Sequence, residues 1–137
     1  MWILFAFGSA LFAGLTAILA KCGIRNTDSN VATALRTGVV LVFSWLMLFM
    51  VGAQSEIRDI SAKVLIFLIL SGLSTGISWL CYFKALQTGP ASVVVPIDKL
   101  SILVTIAFSY IVFHEKLSLK SGTGLLLIVV GTLALLI

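Results

Sequence analysis

The chain has 137 residues, 61% of them hydrophobic and 10% charged, with a formal net charge of +4. Its mean hydropathy is +1.22. Polar surface on this scale cannot cover a water-soluble domain of this length, so a soluble globular class is excluded and lipid is the main solvent. Strand-type alternation is absent, which argues against a β-barrel. In hydrocarbon, the α-helix is then the structure that satisfies every backbone donor and acceptor.

The first apolar segment runs from Trp2 to Ala20. No basic residue precedes it and no small-x-small site follows it, so it is expected to stay as a helix and not to be removed as a signal peptide. "LAKC" (19–22) has a lysine where a lipoprotein box requires a small residue. The polar stretch "KCGIRNTDSN" (21–30) ends in Asp28, Ser29 and Asn30, all helix N-cap types. The second segment, Val31 to Val51, carries one internal charge, Arg36. "GAQSEIRDISAK" (52–63) is the longest polar connection.

The third segment, Val64 to about Phe83, holds Ser71, Ser74, Thr75 and Ser78, and a GxxxG motif, "GLSTG" (72–76). The hydroxyls are expected to line an interior cavity. Trp79 with Tyr82 is expected to form an aromatic wall, or to anchor at the lipid interface. The GxxxG predicts close helix packing within the chain. "QTGP" (87–90) reads as a tight turn, with Gly89 stopping one helix and Pro90 opening the next.

The fourth segment, Ala91 to Phe113, contains "VVVPIDKLSILV" (93–104), in which Pro96, Asp98 and Lys99 interrupt an apolar run. His114 and Glu115 are expected to cap its end. The fifth segment runs from about Leu119 to Ile137 and spaces Gly124 and Gly131 seven residues apart, on one helix face. Each segment has about 19 to 23 residues, against roughly 20 needed to span ~30 Å of hydrocarbon. The expectation is an all-α integral membrane protein, a five-transmembrane-helix bundle forming a single domain over residues 1–137.

An odd number of crossings places the termini on opposite faces. The loops on the N-terminal face carry Arg58, Lys63, Lys116 and Lys120, and those on the other face carry Lys21, Arg25 and Lys84. Four against three sets orientation only weakly, with the N-terminal face cytoplasmic, and permits insertion both ways round. Counted from the second face at 1.5 Å per residue, Arg36 lies about 9 Å deep, Asp98 about 10 Å and Lys99 about 12 Å. Charges at such depth face a bundle interior or water, and pair. Neighbours on one helix project about 100° apart, so Asp98 with Arg36 is the expected pair. That pair either orders the bundle or acts on a substrate or coupling ion, and both readings stay open. Pro96 removes a donor and frees the Ser92 carbonyl, so a bend is expected one turn before Asp98. The second face and its membrane half hold five basic residues against Asp28 and Asp98, which attracts anions or the anionic end of a zwitterion.

Cys22 and Cys81 show no metal-ligand spacing. There is no nucleophile motif, phosphate loop or metal cluster, so neither an enzyme nor a cofactor is expected, and no nucleic acid is expected as a partner.

The segment "FKALQTGPASVVVPIDKLSILVTIAFSYIVFHEKLSLKSGTGLLLIVVGTLALL" resembles the C-terminal part of an EamA domain, of the drug/metabolite transporter superfamily. "GLTAILAKCGI" and "NVATALRTG" look like that family's first and second helices. The resemblance implies a single five-helix repeat where members commonly have two inverted repeats: an EamA-like half-transporter. It implies a homodimer, antiparallel if topology is dual, or a heteromer with a homologous subunit. Gly124 and Gly131 match the glycine heptad of the related small multidrug resistance proteins, which implies a dimer contact there. Those relatives carry a membrane-embedded glutamate in their first helix, which this chain lacks.

The implied function is movement of a small metabolite across a bacterial inner membrane by alternating access. Asp98, Lys99 and Arg36 are the candidate substrate or ion-coupling groups. The alternatives are a non-transporting scaffold subunit and a component of a lipid-linked sugar flippase.

Overall fold

The computed structural model describes residues 1–114 and 118–137. Glu115 and Lys116, counted above in the cap and in the loop charge, lie outside the described residues. The chain divides into two compact units, Met1–Thr88 and Gly89–Ile137.

The first unit contains α1 (Trp2–Ile24), α2 (Ser29–Val51), a 3₁₀ helix (Ala53–Asp59) and α3 (Ala62–Thr88). The three α-helices pack pairwise against one another. Of the three candidate cap residues before α2, Asp28 takes the role. Its side chain accepts from the Asn30 N–H at 2.8 Å, so α2 starts two residues earlier than the hydropathy suggests. At its far end Gly52 takes φ 75° and donates to the Leu48 and Phe49 carbonyls. An L side chain is strained in that left-handed conformation. Helix α3 continues past Phe83 to Thr88, so Gln87 and Thr88 are helical and only Gly89 and Pro90 make the turn.

Close packing in this unit is concentrated at one end. Ala17 and Ile24 near the end of α1, Ser29 and Thr33 at the start of α2, and Phe83 and Leu86 near the end of α3 are the buried residues. Away from that end the large apolar side chains are exposed, among them Phe5, Phe12, Phe43 and Phe67. In water such a surface would drive aggregation, and in lipid it is solvated. Hydroxyls in these helices bond back to their own backbone: Thr33 to the Ser29 carbonyl and Thr37 to the Thr33 carbonyl, both at 2.7 Å. That habit lets polar residues sit in an apolar helix without an outside partner.

The GxxxG does not bring helices together as expected. A Cβ at Gly72 or Gly76 would meet nothing within 4 Å. The motif supplies small residues, but closeness also requires that the face carrying them be turned towards a neighbour.

The second unit contains α4 (Ala91–Asp98), α5 (Ser101–Phe113) and α6 (Leu119–Ala134), with α4 packed on α6. Pro90 sits at the N-cap of α4, its carbonyl accepting from Val93 and Val94 at 3.1 and 3.0 Å. His114 ends α5 in the left-handed region, φ 52°, with its N–H on the Ser109 carbonyl. Ser118 caps α6, accepting from the Ser121 N–H at 3.1 Å.

Among the described residues, four stretches are long and apolar enough to cross a membrane: Trp2–Ile24, Ser29–Val51, Ala62–Thr88 and Ala91–Phe113. The last includes α4 and α5. Helix α6 is apolar but shorter, at 16 residues.

Candidate functional site

Arg36 projects from α2 two turns after its cap. Its guanidinium carbon lies 4.6 Å from the ring centroid of Trp79 and 4.9 Å from that of Phe83. Those two residues are four apart, so α3 presents both rings on one face. A cation over aromatic faces is stabilised without a carboxylate. Tyr82 packs edge-on against Phe83, with centroids 5.5 Å apart. Among the described residues, Arg36 Nη1 is the buried side-chain nitrogen or oxygen with no hydrogen-bond partner.

Beside Arg36 lies a cavity of about 430 Å³. Its walls come mainly from α1 and the start of α2, including Thr16, Leu19, Ile24 and Leu35, with Phe83 from α3. The serines expected to line an interior sit elsewhere: Ser71, Ser74, Thr75 and Ser78 are all exposed within this unit. The Thr75 hydroxyl is already engaged with the Ser71 carbonyl at 2.9 Å. Trp79 stacks on the guanidinium and is not among the residues that line the cavity.

In the second unit Lys99 Nζ lies 3.5 Å from Asp98 Oδ2. Arg36 and Asp98 thus each have a partner inside their own unit. On a continuous helix the side chains of Asp98 and Lys99 would diverge. Lys99, the C-cap of α4, keeps a helical backbone, so the contact is made by the reach of the long, exposed lysine side chain. Pro96 lies inside α4, and the interruption follows Asp98 and does not precede it. The Lys99 N–H is shared between the Val95 and Pro96 carbonyls, at 3.3 and 3.1 Å. Leu100 then bonds to Ile97 at 2.9 Å and Leu103 to Leu100 at 2.9 Å. This is a short i→i−3 stretch of the kind found at hinges. Lys99, Ser101, Ile102 and Thr105 of this stretch, with Ile128 of α6, line a second cavity of about 560 Å³.

Gly124 and Gly131 are exposed, and a Cβ at either would meet nothing within 4 Å. Cys22 and Cys81 are free and exposed. Among the described residues no group of three or more His, Cys, Asp or Glu could hold a metal.

Four membrane-length apolar stretches among the described residues, together with the family match that follows, make this a multi-pass membrane protein. The model of the EamA-like transporter family matches residues 1–137, so the chain belongs to that family. It is 41% identical over 134 residues to an uncharacterized transporter in the cobO 3′ region of a Sinorhizobium species, covering 98% of this chain and 95% of that one. It is 34% identical over 128 residues to the uncharacterized transporter YvbV of Bacillus subtilis, covering 93% of this chain but 42% of the relative. Over half of this chain it is 40% identical to the probable 4-amino-4-deoxy-L-arabinose-phosphoundecaprenol flippase subunit ArnE of an Enterobacter species, of which 64% is covered. No solved structure matches the chain.

Proposed function

We propose that the chain is one subunit of a small-metabolite transporter that works by alternating access in a bacterial inner membrane. The observation that carries this reading is one of length. Nearly the whole chain aligns with less than half of the Bacillus transporter, so the longer relative has room for two such repeats and this chain supplies one. Two copies, or one copy with a homologous subunit, would complete the pair, and the near balance of loop charges supports an antiparallel arrangement. Residues 1–137 act as one EamA-like domain, with α6 making a fifth crossing. Arg36, Asp98 and Lys99 serve substrate or ion coupling, and the stretch around Pro96 supplies the hinge. The substrate is anionic or zwitterionic, and the chain moves it without making or breaking bonds.

Reconstitution of this chain alone into proteoliposomes tests the reading. Saturable uptake of a metabolite that accumulates or is depleted in an overexpressing strain is the expected result. No flux, with or without a homologous partner, would leave a scaffold and overturn transport. The flippase reading is favoured by the likeness to ArnE, and translocation of a lipid-linked sugar in the same vesicles would select it.

A further inference from the structure

We propose that the cavity beside Arg36 binds an organic anion with a small apolar body, its carboxylate or phosphate on the edge of the guanidinium. Three observations converge on this chemistry. Among the described residues lining the cavity, Arg36 is the one that carries a charge, and none is a carboxylate. A zwitterion would therefore find no counter-charge there for its cationic end.

The rings of Trp79 and Phe83 take a face of the guanidinium, which leaves its in-plane N–H groups as the available donors. That planar fork matches carboxylate and phosphate oxygens. Nη1 is buried with no acceptor, and an unsatisfied charged donor is costly, so a small shift of the guanidinium that turned Nη1 to a bound anion would gain a strong hydrogen bond. The remaining wall is mostly apolar, with Leu19, Ile24, Leu35 and Phe83, and the volume of about 430 Å³ falls in the range of small-ligand sites. Thr16 adds a hydroxyl.

This inference names the substrate class of the transport reading and rests on it for its biological role, but binding is measurable without flux. Calorimetry on the full chain in phosphatidylcholine nanodiscs, with hexyl phosphate as probe, provides the test. Hexyl phosphate should bind saturably, and hexanol at least about tenfold more weakly. Arg36→Gln should weaken hexyl phosphate by about tenfold or more, the loss expected of a charge-assisted hydrogen bond.

Should that variant fail to fold, Gly23→Leu keeps Arg36 and fills the cavity. Gly23 lines it, and a Cβ there meets nothing within 4 Å, so the side chain starts in open space and binding should fall as it fills the cavity. Adding phosphatidylglycerol to the nanodiscs separates the sources of the anion: competition with hexyl phosphate identifies a lipid headgroup, and unchanged affinity a soluble ligand. Equal binding of hexanol, or undiminished hexyl phosphate binding to Arg36→Gln or Gly23→Leu, would overturn the proposal. Flux without Arg36-dependent binding overturns it alone, and binding without flux overturns only the transport reading.

Discussion

Lys21 Nζ donates a hydrogen bond to the carbonyl of Leu86, tying the last turn of α1 to the last turn of α3 across 65 positions of sequence. The bond has a local cause. In a helix the Leu86 carbonyl would accept from residue 90, but that residue is Pro90 and has no N–H. Leu86 is fully buried, at 0% exposure, so its carbonyl needs a donor from within the protein. Gln87 adds a second tie, its Nε2 donating to the Thr27 carbonyl at 3.0 Å. Lys21→Met should therefore destabilise the protein by about 1–3 kcal/mol, the cost of orphaning a buried acceptor. Thermal unfolding in detergent micelles reads the loss, and Lys21→Arg, which keeps a donor, should recover much of it.

Pro96→Ala restores one backbone donor in α4. A proline inside a helix costs roughly 3 kcal/mol relative to alanine, so the variant should be more helical and more stable. Hydrogen exchange at the amides of residues 99 to 103 should slow as the i→i−3 stretch gives way to continuous α-helix. If the stretch is the proposed hinge, transport should fall at the same time. Slower exchange with unchanged flux would make the proline a static feature.

Asp98 and Lys99 neutralise each other at 3.5 Å, with side chains 36% and 60% exposed. Removing one leaves a lone charge in a membrane helix, at a cost of ~2.5–3.5 kcal/mol on insertion scales. Asp98→Asn and Lys99→Gln singly should therefore yield less folded protein than the double variant. The double variant should fold near normally and lose flux. Full flux from it would reduce the pair to architecture.

Gly124→Leu with Gly131→Leu tests the subunit contact. Neither position has a neighbour within 4 Å of a new Cβ, and both are exposed, so the first atom of each new side chain is accommodated within the chain. The expected outcome is a shift from dimer to monomer in light scattering, with the helical circular dichroism unchanged. A dimer that persists would move the contact elsewhere.

Reporter fusions at Ile137 test dual insertion. Activity should appear on both sides of the membrane, as the four-to-three balance of loop charges implies. Reporter signal from one side only would point to a parallel dimer or a heteromer.

The positions of the spans were largely legible from hydropathy, but their ends were not. Lys21 to Ile24 read as loop because they include a charge and two small residues, yet α1 continues there and Ile24 is buried against its neighbours. Arg36 was conspicuous as a charge in an apolar run. Its partners were not, because an acid seemed to be required, and stacking on Trp79 and Phe83 depends on how α2 and α3 are turned towards each other. Phe83 carried one signal that could have been used: its spacing of four from Trp79. The α3 hydroxyls were conspicuous in the sequence, but the way they face was not: all four are exposed, and the Thr75 hydroxyl bonds to the Ser71 carbonyl of its own helix.

The fifth crossing proposed for α6 would have a physical consequence outside the protein. Sixteen residues rise about 24 Å, less than the ~30 Å of an average hydrocarbon layer, whereas the 27 residues of α3 rise about 40 Å. The long helix can tilt, but the short one cannot stretch, so the lipid beside α6 must thin or its ends must draw headgroups inward. With that crossing, acyl-chain length would become a control on this protein: short-chain lipids would fit α6, and each added methylene would raise the strain at that helix.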